Sequence, residues 1–335
     1  MFLNSWSLTL TFCSLIVVFL LVIAAGTAIR VIRFWDPSSD TNRQIRLESE
    51  IWLSSTLVAY ALGFQIISLM LFVLAADHFC QVIVGAMCAT GALLANPFGM
   101  PALLIKLAGV FLYGFWIVIH KLDITSEKYP LVKFKYVYLL LLVPFLFTDI
   151  IFQTLYIAGL KPDIITSCCA VVFSTAADAG PNLMESLPVG TMLAIFYGTA
   201  GVLLVTGVML RRGWRLAAGI FYAAGWVWFF GFALVMIITV FSSYIYAMPF
   251  HNCPFCILKP EFHYIGFFIY ASLMTATFFG IVPAIVQIFS GQQSLHDAIS
   301  IFRKYSIAIS LVFMAVFLVL SSYHSLMYMI VGGEF

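Results

Sequence analysis

Long apolar stretches constrain this chain more than any other feature of its sequence. A helix needs about 20 apolar residues to cross the ~30 Å hydrocarbon core of a bilayer, and eight segments of this 335-residue chain meet that requirement. The predicted spans are about 7–29, 52–76, 101–120, 137–159, 190–210, 216–246, 264–288 and 305–331. Only 9% of the residues are charged, against about 25% in a typical soluble domain. The sequence therefore predicts an all-α integral membrane protein, a single polytopic domain over residues 1–335 in a lipid bilayer.

The net charge argues against a nucleic-acid-binding protein, and the N-terminal sequence argues against a cleaved signal peptide. The net charge of +2 is small and dispersed, which argues against a nucleic-acid partner. The first apolar run has no basic residues before it and exceeds the 7–15 residues of a signal peptide, so we expect it to be a retained helix.

The distribution of lysine and arginine predicts how the spans are oriented. Thirteen of the 16 basic residues fall in the links after the first, third, fifth and seventh predicted spans: Arg30, Arg33, Arg43, Arg46, Lys121, Lys128, Lys133, Lys135, Arg211, Arg212, Arg215, Arg303 and Lys304. The links after the second, fourth and sixth spans hold only Lys161 and Lys259. Basic links stay in the cytoplasm, so both chain termini are predicted to lie outside, as in a multi-pass protein of a bacterial inner membrane.

The cysteines cluster in the links that this orientation places outside. Three pairs occupy the second, fourth and sixth links: Cys80 with Cys88, Cys168 with Cys169, and Cys253 with Cys256. Disulfides form and persist in that compartment. The seventh cysteine, Cys13, lies within the first span and reads as a small apolar core residue.

Two of these links are unusual in composition. The stretches DHFCQVIVGAMCATGALLANPFGMP and KPDIITSCCAVVFSTAADAGPN are too apolar for solvated loops and too short to cross a membrane twice. Irregular backbone at membrane depth needs a covering of protein or a cavity. We therefore expect two apolar re-entrant or interfacial segments that form lids on the extracytoplasmic face.

Three interpretations fit the cysteines. In the first, three disulfides staple the lid segments together, and six cysteines allow 15 pairings. In the second, Cys253 and Cys256 form a catalytic dithiol, with His251 stabilising the thiolate. The remaining cysteines would relay oxidising equivalents, and a quinone or an extracytoplasmic thiol protein would complete the circuit.

The third interpretation is a metal or haem site. Cys253 and Cys256 with His251 and His263 could bind zinc or copper(I). A b-type haem could be held by two of His78, His263 and His324. The sequence has no C-x-x-C-H, so it does not support covalent c-type haem.

A few polar residues lie inside the predicted spans, where charges are costly. Asp149 and Gln153 share a helical face as i and i+4, and Lys106 lies in the neighbouring third span, about two turns away in predicted depth. One interpretation is a hydrogen-bond network that fixes helix packing. The other is a proton path or quinone head-group site, with Asp149 carrying protons and Lys106 supplying the opposite charge.

Three functions follow as hypotheses. The first is an inner-membrane thiol–disulfide oxidoreductase, linked to quinone, with its cysteine pairs outside. The second is a disulfide-stapled membrane subunit of a larger electron-transfer complex, with a cytochrome or other subunits as partners and haem or quinone bound. The third is a transporter of a small solute or metal ion.

Overall fold

Helices account for the regular structure of the described residues. A computed structural model describes residues 4–35, 41–126, 129–161, 188–248 and 251–331. The helices are α1 (Ser5–Phe34), α2 (Asn42–Phe79), α3 (Ala89–Leu94), α4 (Gly99–Asp123), α5 (Val132–Gly159), α6 (Val189–Arg212), α7 (Leu216–Met236), α8 (Ser242–Tyr246), α9 (Ile265–Gln287) and α10 (His296–Val331). A π-helical turn, Ile237–Phe241, joins α7 to α8 without a break.

Eight of these segments are long and apolar enough to cross a membrane, which confirms the predicted helical membrane protein within the described ranges. The helices extend beyond the apolar runs. The polar stretch before Trp52 forms the first turns of α2, which begins at Asn42, because its residues are good helix formers. Orientation and the two lids remain predictions, and most of the second lid segment lies outside the described residues.

The helices separate into two compact units. The first unit comprises Met1–Val84, Ala92–Thr166 and Phe289–Ile299, and the second comprises Gly85–Gly91, Ser167–Ile288 and Ser300–Phe335. Each unit therefore takes four of the long helices.

In the first unit, four helices close a ring. Helix α1 packs against α2 and α5, and α4 packs against the same two neighbours. Apolar side chains from each helix fill the centre, including Leu21, Leu62, Trp116 and Leu139. Pro144 lies inside α5, where it removes one backbone donor while the helix continues.

Aromatic rings dominate the core of the second unit. Phe196 on α6 stacks on Phe229 of α7 at 5.4 Å between ring centroids and meets Phe317 of α10 edge-on at 6.1 Å. Trp226 of α7 lies directly on the backbone of α9 at Gly280, where a Cβ would fall 2.2 Å from the indole ring. These close approaches bring α6, α7, α9 and α10 around one aromatic centre.

The C-x-x-C segment connects α8 to α9, and residues with positive φ lie at both of its ends. Ala247 ends α8 with φ 52°, while His263 and Tyr264 precede α9 with φ 53° and 56°. Non-glycine residues seldom adopt this left-handed conformation, which costs roughly 1–2 kcal/mol each. The surrounding contacts must therefore hold the segment in its shape.

Candidate functional site

Three buried cysteines form the densest group of reactive side chains in the described part of the chain. The sulfurs of Cys88, Cys253 and Cys256 all lie within 4.8 Å of one another. Cys88 Sγ and Cys253 Sγ are 3.3 Å apart. Cys253 is fully buried, and Cys256 is the most exposed of the three at 7%. We call this group the cysteine cluster.

The cluster joins two segments that are far apart in sequence. Thr90 Oγ1 lies 3.3 Å from Cys253 Sγ, and the Lys259 ammonium donates to the Met87 carbonyl at 2.7 Å. Hydrogen bonds on both sides of Cys253 thus tie the residue 85–91 segment to the C-x-x-C segment.

Tyrosines and one glycine fix the C-x-x-C backbone. The hydroxyl of Tyr246 donates to the Cys253 carbonyl, and that of Tyr270 donates to the Pro254 carbonyl at 2.7 Å. Gly266 in the first turn of α9 lets Ile257 approach so closely that a Cβ would lie 2.7 Å from the Ile257 side chain. The short 3₁₀ turn carrying Cys256 therefore rests directly on α9.

The cysteines that the sequence singled out lie in different parts of the structure. Cys253 and Cys256 lie together, and Cys88 joins them. Cys80 belongs to the first unit, where its sulfur donates to the Asp77 carbonyl at 2.8 Å. No disulfide links any two of the described cysteines. Cys168 and Cys169 lie outside the described residues.

None of the predicted histidines joins the cysteine cluster. His251 packs edge-on against Tyr246, with 4.7 Å between the ring centroids, and the hydroxyl of that tyrosine donates to the Cys253 carbonyl. His263 is exposed. The ring of His78 lies 6.0 Å from Trp6 in the first unit, and that of His324 lies 5.3 Å from Tyr323. Among the described residues, the group of side chains that could hold a metal ion consists of three cysteines and includes no histidine of the predicted Cys2His2 set.

The polar residues predicted inside the bilayer come together in the first unit. Lys106 Nζ lies 3.0 Å from Asp149 Oδ1 and donates to Ser68 Oγ at 3.0 Å. The Gln65 amide donates to the other carboxylate oxygen of Asp149. Both charged side chains are buried. The two side chains meet although the sequence predicted depths about two turns apart, because the lysine side chain is long enough to reach the carboxylate.

Gln153 does not join this ion pair. Its amide donates to Ser14 Oγ at 3.0 Å, one helical turn along α5 from Asp149. Gln153 therefore links α5 to α1, whereas Asp149 links α5 to α4 and α2.

A second buried ion pair in the first unit was missed from the sequence. Lys135 Nζ lies 2.8 Å from Asp123 Oδ2 and 3.4 Å from His120 Nδ1. Asp123 also accepts from the Leu131 backbone N–H at 2.8 Å, and the His120 ring stacks on Trp116. The sequence pattern suggested only a basic link that sets orientation. The overlooked signal was an acidic and a basic residue on opposite sides of a short helix–helix link.

A cavity of about 620 Å³ adjoins this second pair. Lys135 and His120 line it together with Ser55, Trp35, Trp52 and Tyr60, all in the first unit. No family model, curated protein or solved structure matches this chain.

Proposed function

We propose that the protein is a multi-pass membrane thiol–disulfide oxidoreductase whose reactive centre is the cysteine cluster. One observation carries this proposal: three buried sulfurs from two distant segments lie within 4.8 Å of one another. Exchange needs an attacking sulfur close to a disulfide, and Cys253 has a neighbour on either side. The orientation predicted from the basic residues would put this centre on the extracytoplasmic face of a bacterial inner membrane.

The proposed reaction balances as two exchange steps. A thiolate of a substrate protein attacks the Cys253–Cys256 disulfide at Cys256, the S–S bond breaks, and Cys253 leaves as a thiolate. A second substrate thiolate then attacks the mixed disulfide, which releases Cys256 and leaves the substrate with a disulfide. Two electrons and two protons pass from the reduced pair to a membrane quinone when the centre is reoxidised.

Cys88 gives the proposed centre an internal exchange step. Its sulfur is 3.3 Å from that of Cys253, so a Cys88 thiolate can attack Cys253 and release Cys256. A hydroxyl donating from Thr90, also 3.3 Å away, would stabilise the Cys253 thiolate that forms when a substrate thiolate attacks Cys256. Cys253 would be the central sulfur of the relay, and Cys256 the one that meets the substrate.

A second candidate function, soft-metal binding, draws on the same three sulfurs. Three cysteine thiolates in a buried site suit copper(I) or zinc. Such a site would serve metal transfer or transport rather than disulfide chemistry. The two candidates differ in whether the sulfurs bond to one another or to an ion.

The first test is a set of single serine variants, equilibrated in glutathione buffers and mapped for disulfides by peptide mass spectrometry. We expect Cys88→Ser to keep a Cys253–Cys256 disulfide and Cys256→Ser to form a Cys88–Cys253 disulfide. We expect Cys253→Ser to form neither. Cys13→Ser is the matched control, because Cys13 lies in α1 and is not a member of the cluster, and its loss should leave every disulfide unchanged.

Two results would count against the oxidoreductase. One is a wild-type cluster whose cysteines stay reduced even in fully oxidised glutathione. The other is one equivalent of copper or zinc in anaerobically purified protein, with all three cysteines protected from alkylation until a chelator is added. The second result would favour the metal-binding candidate.

A further inference from the structure

The cavity beside Lys135 is large enough to hold a small molecule. Its volume of about 620 Å³ lies within the ~300–1,000 Å³ range of small-ligand cavities. It lies where α1 and α4 end and α2 and α5 begin, with Trp35 following α1 and His120 in the last turn of α4. We call it the Lys135 cavity.

Several polar groups line this cavity. The Lys135 ammonium has three N–H donors, and among the described residues it contacts Asp123 and His120. Ser55 Oγ lies 3.0 Å from the Tyr136 hydroxyl and also lines the cavity. A ligand with hydrogen-bond acceptors would meet an ammonium donor and a hydroxyl along the cavity wall.

One wall of the cavity is formed by an exposed stretch of α2. Trp52, Thr56 and Tyr60 line the cavity and follow one face of α2 at i, i+4 and i+8. Trp52 and Tyr60 are 69% and 66% exposed in a segment that is apolar enough to span a membrane. A ligand can therefore enter sideways from the lipid, past aromatic rings of the kind found at membrane interfaces.

Charge balance favours a neutral ligand. Lys135 is paired with Asp123, and the two other charged lining residues, Lys121 and Glu48, have opposite signs. An anionic phosphate head group would find no excess of positive charge among these described residues. A neutral, flat ring with carbonyl acceptors matches the donors, the aromatic walls and the route from the lipid.

We propose that the Lys135 cavity binds the ring of a lipid-soluble quinone, with a ring carbonyl accepting from Lys135 and the tail leaving past Trp52 and Tyr60. Lys106 and Asp149, which the sequence suggested for this role, do not line the cavity. No cysteine is found among the described residues that line the cavity, so quinone binding can be tested separately from the thiol chemistry.

The test is a titration of the full-length protein, in phosphatidylcholine nanodiscs, with ubiquinone-1 and separately with menadione. Trp35 and Trp52 line the cavity, so bound quinone should quench tryptophan fluorescence in a saturable way. Ala59→Phe fills the cavity and should raise the Kd at least tenfold, with Ala59→Leu intermediate. Ala217→Phe is the matched control, because Ala217 is exposed at the start of α7 in the second unit.

Each outcome decides the proposal. Saturable binding that is lost in Ala59→Phe, retained in Ala217→Phe and unchanged in Cys253→Ser supports it, whatever the fate of the oxidoreductase hypothesis. Quenching that never saturates, or that is equal in Ala59→Phe and wild type, overturns it. The proposal is also overturned if native mass spectrometry detects an anionic phospholipid in the cavity that neither quinone displaces. Thermal melting of Ala59→Phe and Ala59→Leu separates loss of the cavity from loss of the fold.

Discussion

The two units solve the same packing problem with different chemistry. In the first, two buried lysine–aspartate pairs join α4 to α5: Lys106 with Asp149, and Lys135 with Asp123. In the second, aromatic rings dominate the described core: Phe196, Phe229 and Phe317 contact one another, and Trp226 packs edge-on against Phe229. Lipid gives helices no hydrophobic reason to prefer one another over the surrounding chains. In the first unit, buried ion pairs determine which helices pack together. In the second unit, close shape complementarity does so.

This contrast predicts that the first unit is most sensitive to loss of one charge. Replacing Asp149 by alanine leaves the buried Lys106 ammonium without its counter-charge, which should cost about 3–5 kcal/mol of stability. The double variant Lys106→Met/Asp149→Leu removes both charges and should recover most of that loss. Thermal unfolding in detergent measures both effects.

The matched control is an exposed ion pair in the same unit. Arg46 and Glu50 lie 3.4 Å apart on α2, with the Arg46 side chain 83% exposed. Arg46→Ala should change stability by less than about 1 kcal/mol. If Asp149→Ala proves as mild as Arg46→Ala, the buried pair does not specify the first unit.

The stability of the second unit should fall most when a substitution adds volume at a close contact. Gly266→Ala forces a Cβ to within 2.8 Å of the Ile257 carbonyl oxygen, so the backbone must move. Overpacking of this kind costs about 1–3 kcal/mol, and it should also raise the alkylation rate of Cys256.

Gly231→Ala is the control, because a Cβ at Gly231 has nothing within 4 Å. That change should be neutral or stabilise α7 by up to about 1 kcal/mol. Equal losses from both changes would refute the packing explanation.

The smallest expected effect concerns the strained end of α8. Ala247 has φ 52°, a conformation that glycine adopts without penalty. Ala247→Gly should therefore raise the unfolding free energy by up to about 1 kcal/mol, as read from thermal melts. The same substitution at Ala217, in the first turn of α7, should lower it by roughly 0.5–1 kcal/mol, because helical backbone disfavours glycine. A loss of stability in Ala247→Gly would show that the left-handed turn is not strained.

The membrane helices were predictable because each span can be recognised from its own run of apolar residues. Twenty apolar residues in a row have few other structures open to them, and all eight segments appear. The pairing of Cys253 with Cys256 in one segment was equally visible. Cys88 was not, because it reaches Cys253 from 165 residues away through the fold.

Buried charge was predictable in part. Asp149 stood out because it interrupts an apolar run, whereas Lys135 sits among other basic residues and resembles part of a cytoplasmic link. Its burial depends on Asp123 and on α5 beginning at Val132, before the apolar run. Local composition cannot show either fact.

The ion pairs of the first unit also bear on how the protein enters the membrane. Helix α4 carries lysine in its first half and aspartate at its end, and α5 carries the opposite signs at the matching positions. A single lysine at mid-helix costs about 2.5–3.5 kcal/mol on insertion, whereas each of these charges meets its partner once both helices are present. We therefore expect α4 to remain at the translocon until α5 has been synthesised, so that the two helices pass into the lipid as one hairpin.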